Sequence, residues 1–368
     1  MTKSKVLLIY TGGTIGMNRN RQTGALEPFD FDQLLSRMPE LQELPVETAS
    51  RQFDPPIDSS DMSPRLWTEL AGIIADSYAD YDGFVILHGT DTMAYTASAL
   101  SFLLEGLTKP VILTGSQLPI GQLRTDGKEN IITAIEIASM RKADGTARVP
   151  EVCIYFNGHL MRGNRTTKLS ADDFNAFESF NYPHLADAGV NIIYHDEHFL
   201  KPVTAKPFSV EGDLQSPPLT VKALTVKGDL QSPPPLLLDD NVIIFSLFPG
   251  VREDLIRHII DTPQLKSIVM RTFGSGNAPH SQWLIDTLRE GTRRGLVIVN
   301  VSQCLRGCVE MGRYAAGHQL QEAGVVSGYD ATVEATVTKL MYLQARYDDP
   351  QTVRQLMQRS IRGEISES

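Results

Sequence analysis

Three apolar runs in this chain each stop at a short loop of glycine and hydroxyl residues. Val6-Leu-Leu-Ile-Tyr10 leads into Thr11-Gly-Gly-Thr-Ile-Gly16, Phe84-Val-Ile-Leu87 into His88-Gly-Thr-Asp-Thr92, and Val111-Ile-Leu113 into Thr114-Gly-Ser-Gln117. A strand buried on both faces reads as such an unbroken run, and strands of that kind belong to parallel sheets covered by helices. Open sheets of this class bind ligands beyond the carboxyl ends of their strands. The pattern therefore predicts three loops converging on one crevice, and that crevice as the place for chemistry.

The rest of the first half agrees. Glu151-Val-Cys-Ile-Tyr-Phe156 reads as a fourth strand, and helical stretches are predicted at Ser63 to about Ala79, Thr92–Gly106 and about Gly127–Met140. Pro64 suits a first helical turn, and Met93, Ala97, Leu100 and Leu104 recur at helical spacing. Alternating strands and helices imply a mostly parallel α/β sheet. From about Asp196 to Asp240 prolines break any regular element. A ten-residue segment, Ser209–Pro218, is echoed there by Thr225–Pro234. Two copies do not make a solenoid, so this reads as a local duplication in a linker. A second α/β unit follows, with strands at Asn241–Phe248, Ser267–Met270 and Leu296–Asn300, and helices at about Thr332–Leu343 and from about Thr352. The polar tail Gly363–Ser368 is expected to fray. The expected organisation is thus an N-terminal α/β domain over 1–195, a Pro-rich linker over 196–240, and a smaller, Rossmann-like C-terminal α/β domain over 241–368.

Composition excludes several functions. A net charge of −10 argues against a nucleic-acid partner, which needs a basic face. No apolar run reaches the roughly 20 residues that span a bilayer, and the N-terminal Met1-Thr-Lys-Ser-Lys5 lacks a signal-peptide pattern. Three cysteines leave at least one unpaired, which fits a reducing compartment, and the cytoplasm is the expectation.

Four segments carry the chemistry-bearing residues. Taken alone, Thr11–Gly16 is a tight turn whose glycines allow unusual backbone angles and whose threonine caps a helix. As a dinucleotide fingerprint it lacks the G-x-G-x-x-G spacing. In His88–Thr92 either Asp91 or Thr92 could cap the next helix, which leaves two hydroxyls and a carboxylate in one loop unexplained. His88 reads as a packing or hydrogen-bonding residue, since nothing near it in sequence orients it as a triad base. Ile57-Asp-Ser-Ser-Asp-Met62 would be capping by Asp61 or Ser63, and Arg162-Gly-Asn-Arg-Thr-Thr-Lys168 a solvated loop.

Together these segments resemble the bacterial-type L-asparaginases, the cytoplasmic type I enzymes in particular. Thr11–Gly16 with His88–Thr92 carries most of the resemblance, and Asp58–Asp61, Arg162–Lys168 and Arg271-Thr-Phe-Gly-Ser-Gly-Asn277 agree with it. The resemblance covers nearly the whole chain except the linker. It implies Thr14 as the first catalytic threonine, Thr90 and Asp91 as the second threonine and its aspartate, and Lys168 as the lysine completing the set. It implies Ser59, Ser60, Thr90 and Asp91 as the grip on the substrate's α-carboxylate and α-amino group, with Asp61 at a matching aspartate. It further implies L-asparagine as substrate, no cofactor or metal, no membrane, a homodimer or homotetramer, and some glutamine turnover. A second, allosteric asparagine site would involve Thr167, Arg271, Asn277 and Cys304. One departure stands out: Asn18–Phe29 holds no tyrosine where the family often carries one on its lid.

The chemistry of this set is coherent. A threonine hydroxyl is a weak nucleophile until a base takes its proton. A lysine amine can serve only when neutral. Its reference pKa is about 10.4; burial lowers that value and a neighbouring carboxylate raises it, so residue types alone leave the charge state open. Backbone amides of the glycine-rich loops suit an oxyanion. Ammonia leaves, and water releases aspartate.

Other readings fit the same residues less well. A non-catalytic amino-acid sensor has no reason to keep two threonines, an aspartate and a lysine. The ammonia-supplying subunit of a transfer-RNA-dependent amidotransferase shares the motifs but carries extra N-terminal sequence. Cys304 and Cys308 read as buried core thiols, and His195-Asp-Glu-His198 as a solvated surface.

Overall fold

A computed structural model describes residues 3–19, 26–28, 38–201, 238–312 and 315–366. The chain divides into two compact units, Met1–Gly212 and Asp213–Ser368. The duplicated segments and much of the lid stretch lie outside the described residues.

The first unit is built on β1 (Ser4–Tyr10), β2 (Met17–Arg19), β3 (Leu26–Pro28), β4 (Val46–Gln52), β5 (Gly83–Leu87), β6 (Val111–Thr114), β7 (Val152–Phe156), β8 (His159–Arg162), β9 (Thr167–Lys168), β10 (Phe177–Glu178), β11 (Ala186–Ala188) and β12 (Ile192–Tyr194). Eight of them form one sheet in the order β12-β11-β8-β7-β6-β5-β1-β4. From β4 to β7 neighbours run parallel; β8, β11 and β12 are added antiparallel at one edge. The predicted runs fill the middle: all five residues of β5 and all four of β6 are buried. Each such Val, Leu or Ile contributes about 1.5–3 kcal/mol of burial, so this part of the register is strongly fixed. Helices α1 (Pro64–Ser77), α2 (Met93–Leu103) and α3 (Gly127–Ser139) cross between the strands. On α2, nine of the eleven residues are buried, so it lies inside the unit rather than on its surface.

Register decides where the loops leave. Tyr10 pairs with Gln52 on one side and with Leu87 on the other, and Leu87 pairs with Thr114. The ends of β4, β1, β5 and β6 therefore lie level. The ladder runs on into the loops: Phe53 N–H donates to Tyr10 C=O, Ile57 N–H to Thr11 C=O, Thr11 N–H to Leu87 C=O and His88 N–H to Thr114 C=O. The loop after β4, absent from the three-run expectation, joins the other three.

The second unit holds a parallel sheet of β13 (Val242–Ser246), β14 (Ser267–Thr272), β15 (Val297–Ser302) and β16 (Val326–Ser327), in that order. Helices α4 (Glu253–Ile260), α5 (Gln282–Arg293), α6 (Ala315–Glu322), α7 (Val333–Gln344) and α8 (Pro350–Met357) accompany it. Two expectations fail here. The tail does not fray through its described part: Glu364 and Ile365 are buried, and Glu364 meets the equally buried Lys339 at 2.6 Å. Lys339 Nζ also donates to Met357 C=O and Arg359 C=O. Cys304 and Cys308 are exposed, not core thiols, because they fall in the loop beyond β15; only Cys153 is buried.

Candidate active site

The crevice begins with glycines. Gly12 and Gly13 take φ values of +133° and +94°, a region that L side chains rarely adopt. Gly13 also touches Gly89: a Cβ on Gly13 would lie 2.5 Å from the Gly89 backbone, and one on Gly89 would lie 2.5 Å from Ser59 Oγ. Two loops thus meet backbone to backbone and the third brings the Ser59 side chain against Gly89, and Thr14 and Thr90 are the residues immediately after the two touching glycines. Thr14 opens a short 3-10 turn, Thr14–Gly16, and is half-buried.

The loops are tied by side chains. Thr11 hydroxyl donates to Leu87 C=O (3.0 Å), and Thr92 hydroxyl to Ser59 C=O (2.6 Å). Thr92 occupies the N-cap position of α2 but makes no side-chain cap, so its hydroxyl serves the loop, not the helix. The expected caps at Asp61 or Ser63 give way likewise. Asp58 caps the 3-10 turn Ser59–Asp61 through Ser60 N–H, while Ser63 caps nothing with its side chain. Ser60 N–H and hydroxyl both donate to Asp58 Oδ1 at 2.9 Å, and they hold that carboxyl below its ordinary range. Ser59 is buried against Gly89; Ser60 is exposed, with its hydroxyl turned to Asp58.

Lys168 arrives from far along the chain. Its Nζ donates to Thr90 Oγ1 at 2.9 Å and to Asp91 Oδ1 at 2.6 Å. It stands on β9, where it pairs with Phe177 of β10. The preceding segment is not the solvated loop its charges suggest. Residues 162–166 are buried, because Arg162 pairs with the buried Glu151 at 2.7 Å. Asp91 keeps 66% of its side chain exposed while Lys168 keeps 18%. A carboxylate so placed can accept a cation from a ligand while its other side holds the lysine.

Two participants were missed. Gln117, which ends the third predicted loop, accepts from Thr90 hydroxyl through Oε1 (3.4 Å), and its Nε2 donates to Asp173 C=O (2.8 Å). Its own N–H donates to Asp126. The sequence signal was present, since the rule that singled out the other loops applies to this one. The second is a buried relay: Trp67 Nε1 donates to Thr96 Oγ1 (2.9 Å), and Thr96 Oγ1 lies 2.9 Å from His88 Nε2. His88 Nδ1 lies 2.7 Å from Gly89 C=O. A carbonyl only accepts, so Nδ1 carries the proton and Thr96 hydroxyl donates to Nε2. Burial pushes the His88 pKa down to about 4. His88 is therefore the hydrogen-bonding residue expected of it, and it anchors the Gly89 peptide that precedes Thr90.

Four further site candidates are placed by their own elements. Thr167 starts β9 opposite Glu178. In the second unit, Arg271 is half-buried on β14, Asn277 bridges Phe273, and Cys304 is exposed.

Residues 5–199 match the family model described as "Asparaginase, N-terminal", and residues 241–357 that of the "Glutaminase/Asparaginase C-terminal domain". The chain is 42% identical to L-asparaginase 1 of Escherichia coli, over 100% of this chain and 99% of that protein. It is 36% identical to the 60 kDa lysophospholipase of Mus musculus, over 98% of this chain but 62% of that protein. The crystal structure of L-asparaginase I from Vibrio cholerae superposes with a TM-score of 0.82 at 37% identity, covering 99% of this chain and 100% of that one.

Proposed function

We propose, from the premise that the chain belongs to the asparaginase family, that it hydrolyses the side-chain amide of L-asparagine through a threonine nucleophile. The enzyme is an amidohydrolase of the L-asparaginase type. What carries the residue assignment is Lys168 Nζ lying within hydrogen-bond reach of both Thr90 Oγ1 and Asp91 Oδ1.

In this reading Thr14 attacks the amide carbon. The carbonyl oxygen gains charge, and backbone amides of the loops 11–16 and 88–92 stabilise it. Thr90, Asp91 and Lys168 manage the proton that the attacking hydroxyl must lose and the leaving nitrogen must gain. Ammonia departs, an acyl-threonine remains, and water releases aspartate. The exposed face of Asp91 takes the substrate's α-ammonium, and Ser59 and Ser60 its α-carboxylate. Ser60 hydroxyl must turn from Asp58 to do so. One more methylene changes discrimination by only about 1–3 kcal/mol, which supports a minor glutaminase activity. Cytoplasmic location and a homodimer or homotetramer complete the reading; no helix among the described residues is long and apolar enough to cross a membrane. Thr167, Arg271, Asn277 and Cys304 are assigned, on family resemblance, to an allosteric asparagine site. A hyperbolic rate curve that is unchanged by replacing Arg271 refutes this.

The test is ammonia release from asparagine, from glutamine and without substrate. Replacing Thr14 and Thr90 together by Ala is expected to abolish release; undiminished release from that variant refutes the nucleophile assignment.

A further inference from the structure

We propose that His159, His184 and Asp187 form a site for a divalent cation of the zinc class at the antiparallel edge of the large sheet. His159 opens β8 and Asp187 lies on β11, and the two are direct register partners. Such partners place their side chains side by side on one face. His184 precedes β11, and its ring lies over that of His159 with centroids 4.3 Å apart. One donor atom from each of the three residues falls within 4.8 Å of the others.

The hydrogen bonds ask for a cation. His184 stands between two carboxylates: its Nε2 is 3.0 Å from Glu178 Oε1 and its Nδ1 is 3.2 Å from Asp187 Oδ1. Ionised carboxylates only accept. A neutral His184 that donates through Nε2 leaves its Nδ1 lone pair facing an oxygen lone pair. His159 Nδ1 crowds the same Oδ1 at 2.8 Å. Either protons or a metal ion must sit among these atoms. Around them lies the outer support a metal site uses, in which a ligating imidazole donates its other N–H to a carboxylate and a ligating carboxylate is itself hydrogen-bonded. Glu178 holds His184 in this way, and His195 Nε2 holds Asp187 Oδ2 at 2.9 Å. The motif His195-Asp-Glu-His198, read in sequence as a solvated surface, thus enters through His195 alone and as a support.

The donor set selects the ion. Two imidazole nitrogens and one carboxylate oxygen suit zinc and its borderline neighbours, whereas calcium and magnesium take oxygen ligands. All three side chains are partly exposed, so water can complete a fourth position. Glu178 also belongs to β10, which pairs with the strand carrying Lys168.

Full-length protein stripped with a chelator is titrated with Co²⁺ and followed by visible absorption, with Zn²⁺ as competitor. One equivalent is expected to bind with a tetrahedral Co²⁺ spectrum that Zn²⁺ abolishes. His159→Gln and His184→Gln are expected to lose it, Glu178→Gln to weaken it about 10–100-fold, and His318→Gln, at an exposed imidazole of the second unit, to leave it unchanged. Far-UV circular dichroism checks folding, and Asp187→Asn, also expected to lose binding, stands in for any variant that misfolds. Absence of Co²⁺ binding by the parent protein, as a cluster held by protons alone would give, overturns the proposal. So does binding that His184→Gln and Asp187→Asn leave intact.

Discussion

Acidification is expected to destabilise the N-terminal unit through one buried ring. His88 holds its proton on Nδ1 against Gly89 C=O and accepts from Thr96 at Nε2, and Thr96 Oγ1 already accepts from Trp67. Adding a second proton removes the acceptor at Nε2 and buries a charge. The folded pKa is about 4 against an ordinary 6.5. In the unfolded chain the ring protonates near 6.5, so between 6.5 and about 4 the unfolded state binds more protons, and stability rises with pH and is lost as the pH falls. The contribution is fully present above 6.5 and disappears as the pH approaches 4. At about 1.4 kcal/mol for each tenfold difference in proton affinity, its full size is about 3 kcal/mol. The chain has two tryptophans, Trp67 and Trp283, one in each unit. In a Trp283→Phe background, urea unfolding followed by Trp67 fluorescence reads the first unit alone. The stability of this protein minus that of its His88→Asn derivative is expected to shrink by about 3 kcal/mol across the window. A difference that stays constant with pH refutes both the charge state and the relay built on it.

Three further outcomes are expected. Lys168→Met should lower kcat for ammonia release by about 10²–10⁴-fold with the far-UV spectrum unchanged; parent-like turnover removes the lysine from the mechanism. Gly13→Ala drives a Cβ to 2.5 Å from the Gly89 backbone at φ +94°, and strain of about 1–3 kcal/mol should appear in urea unfolding together with loss of activity. Lys339→Met leaves Glu364 buried without its cation, a loss of about 3–5 kcal/mol in the second unit read by Trp283 fluorescence; adding Glu364→Gln should restore part of it, and no restoration refutes the pairing account.

Legibility in the sequence followed burial. β1, β5 and β6 were readable because strands covered on both faces are apolar throughout. β4, reading Val46-Glu-Thr-Ala-Ser-Arg-Gln52, sits on the rim with no residue fully buried, so it carries no apolar run, although its loop brings Ser59 to the site. β8, β11 and β12 span only three or four residues each, too few for a period to show. The basic stretch before Lys168 misled because a charge run says nothing of its partner, and Glu151, which draws Arg162 inward, stands 11 residues earlier, just before β7. Glu364 misled in the same way, since Lys339 is 25 residues earlier. The catalytic candidates could be named through family resemblance to the loops, but the meeting of the loops that follow β4, β1 and β5 depends on level strand ends, which is a matter of register.

The latch between Lys339 and Glu364 sets an order of events during synthesis. Domains emerging from the ribosome generally fold as units, the N-terminal one first. The large sheet and its crevice are complete once Tyr194 has emerged. The later unit carries an amine whose counter-charge is translated 25 residues after it, so its interior closes only once Glu364 has emerged. A stalled or prematurely terminated polypeptide would therefore pair a finished crevice with an unsealed neighbour, and it is that neighbour which cellular quality control would be expected to find first.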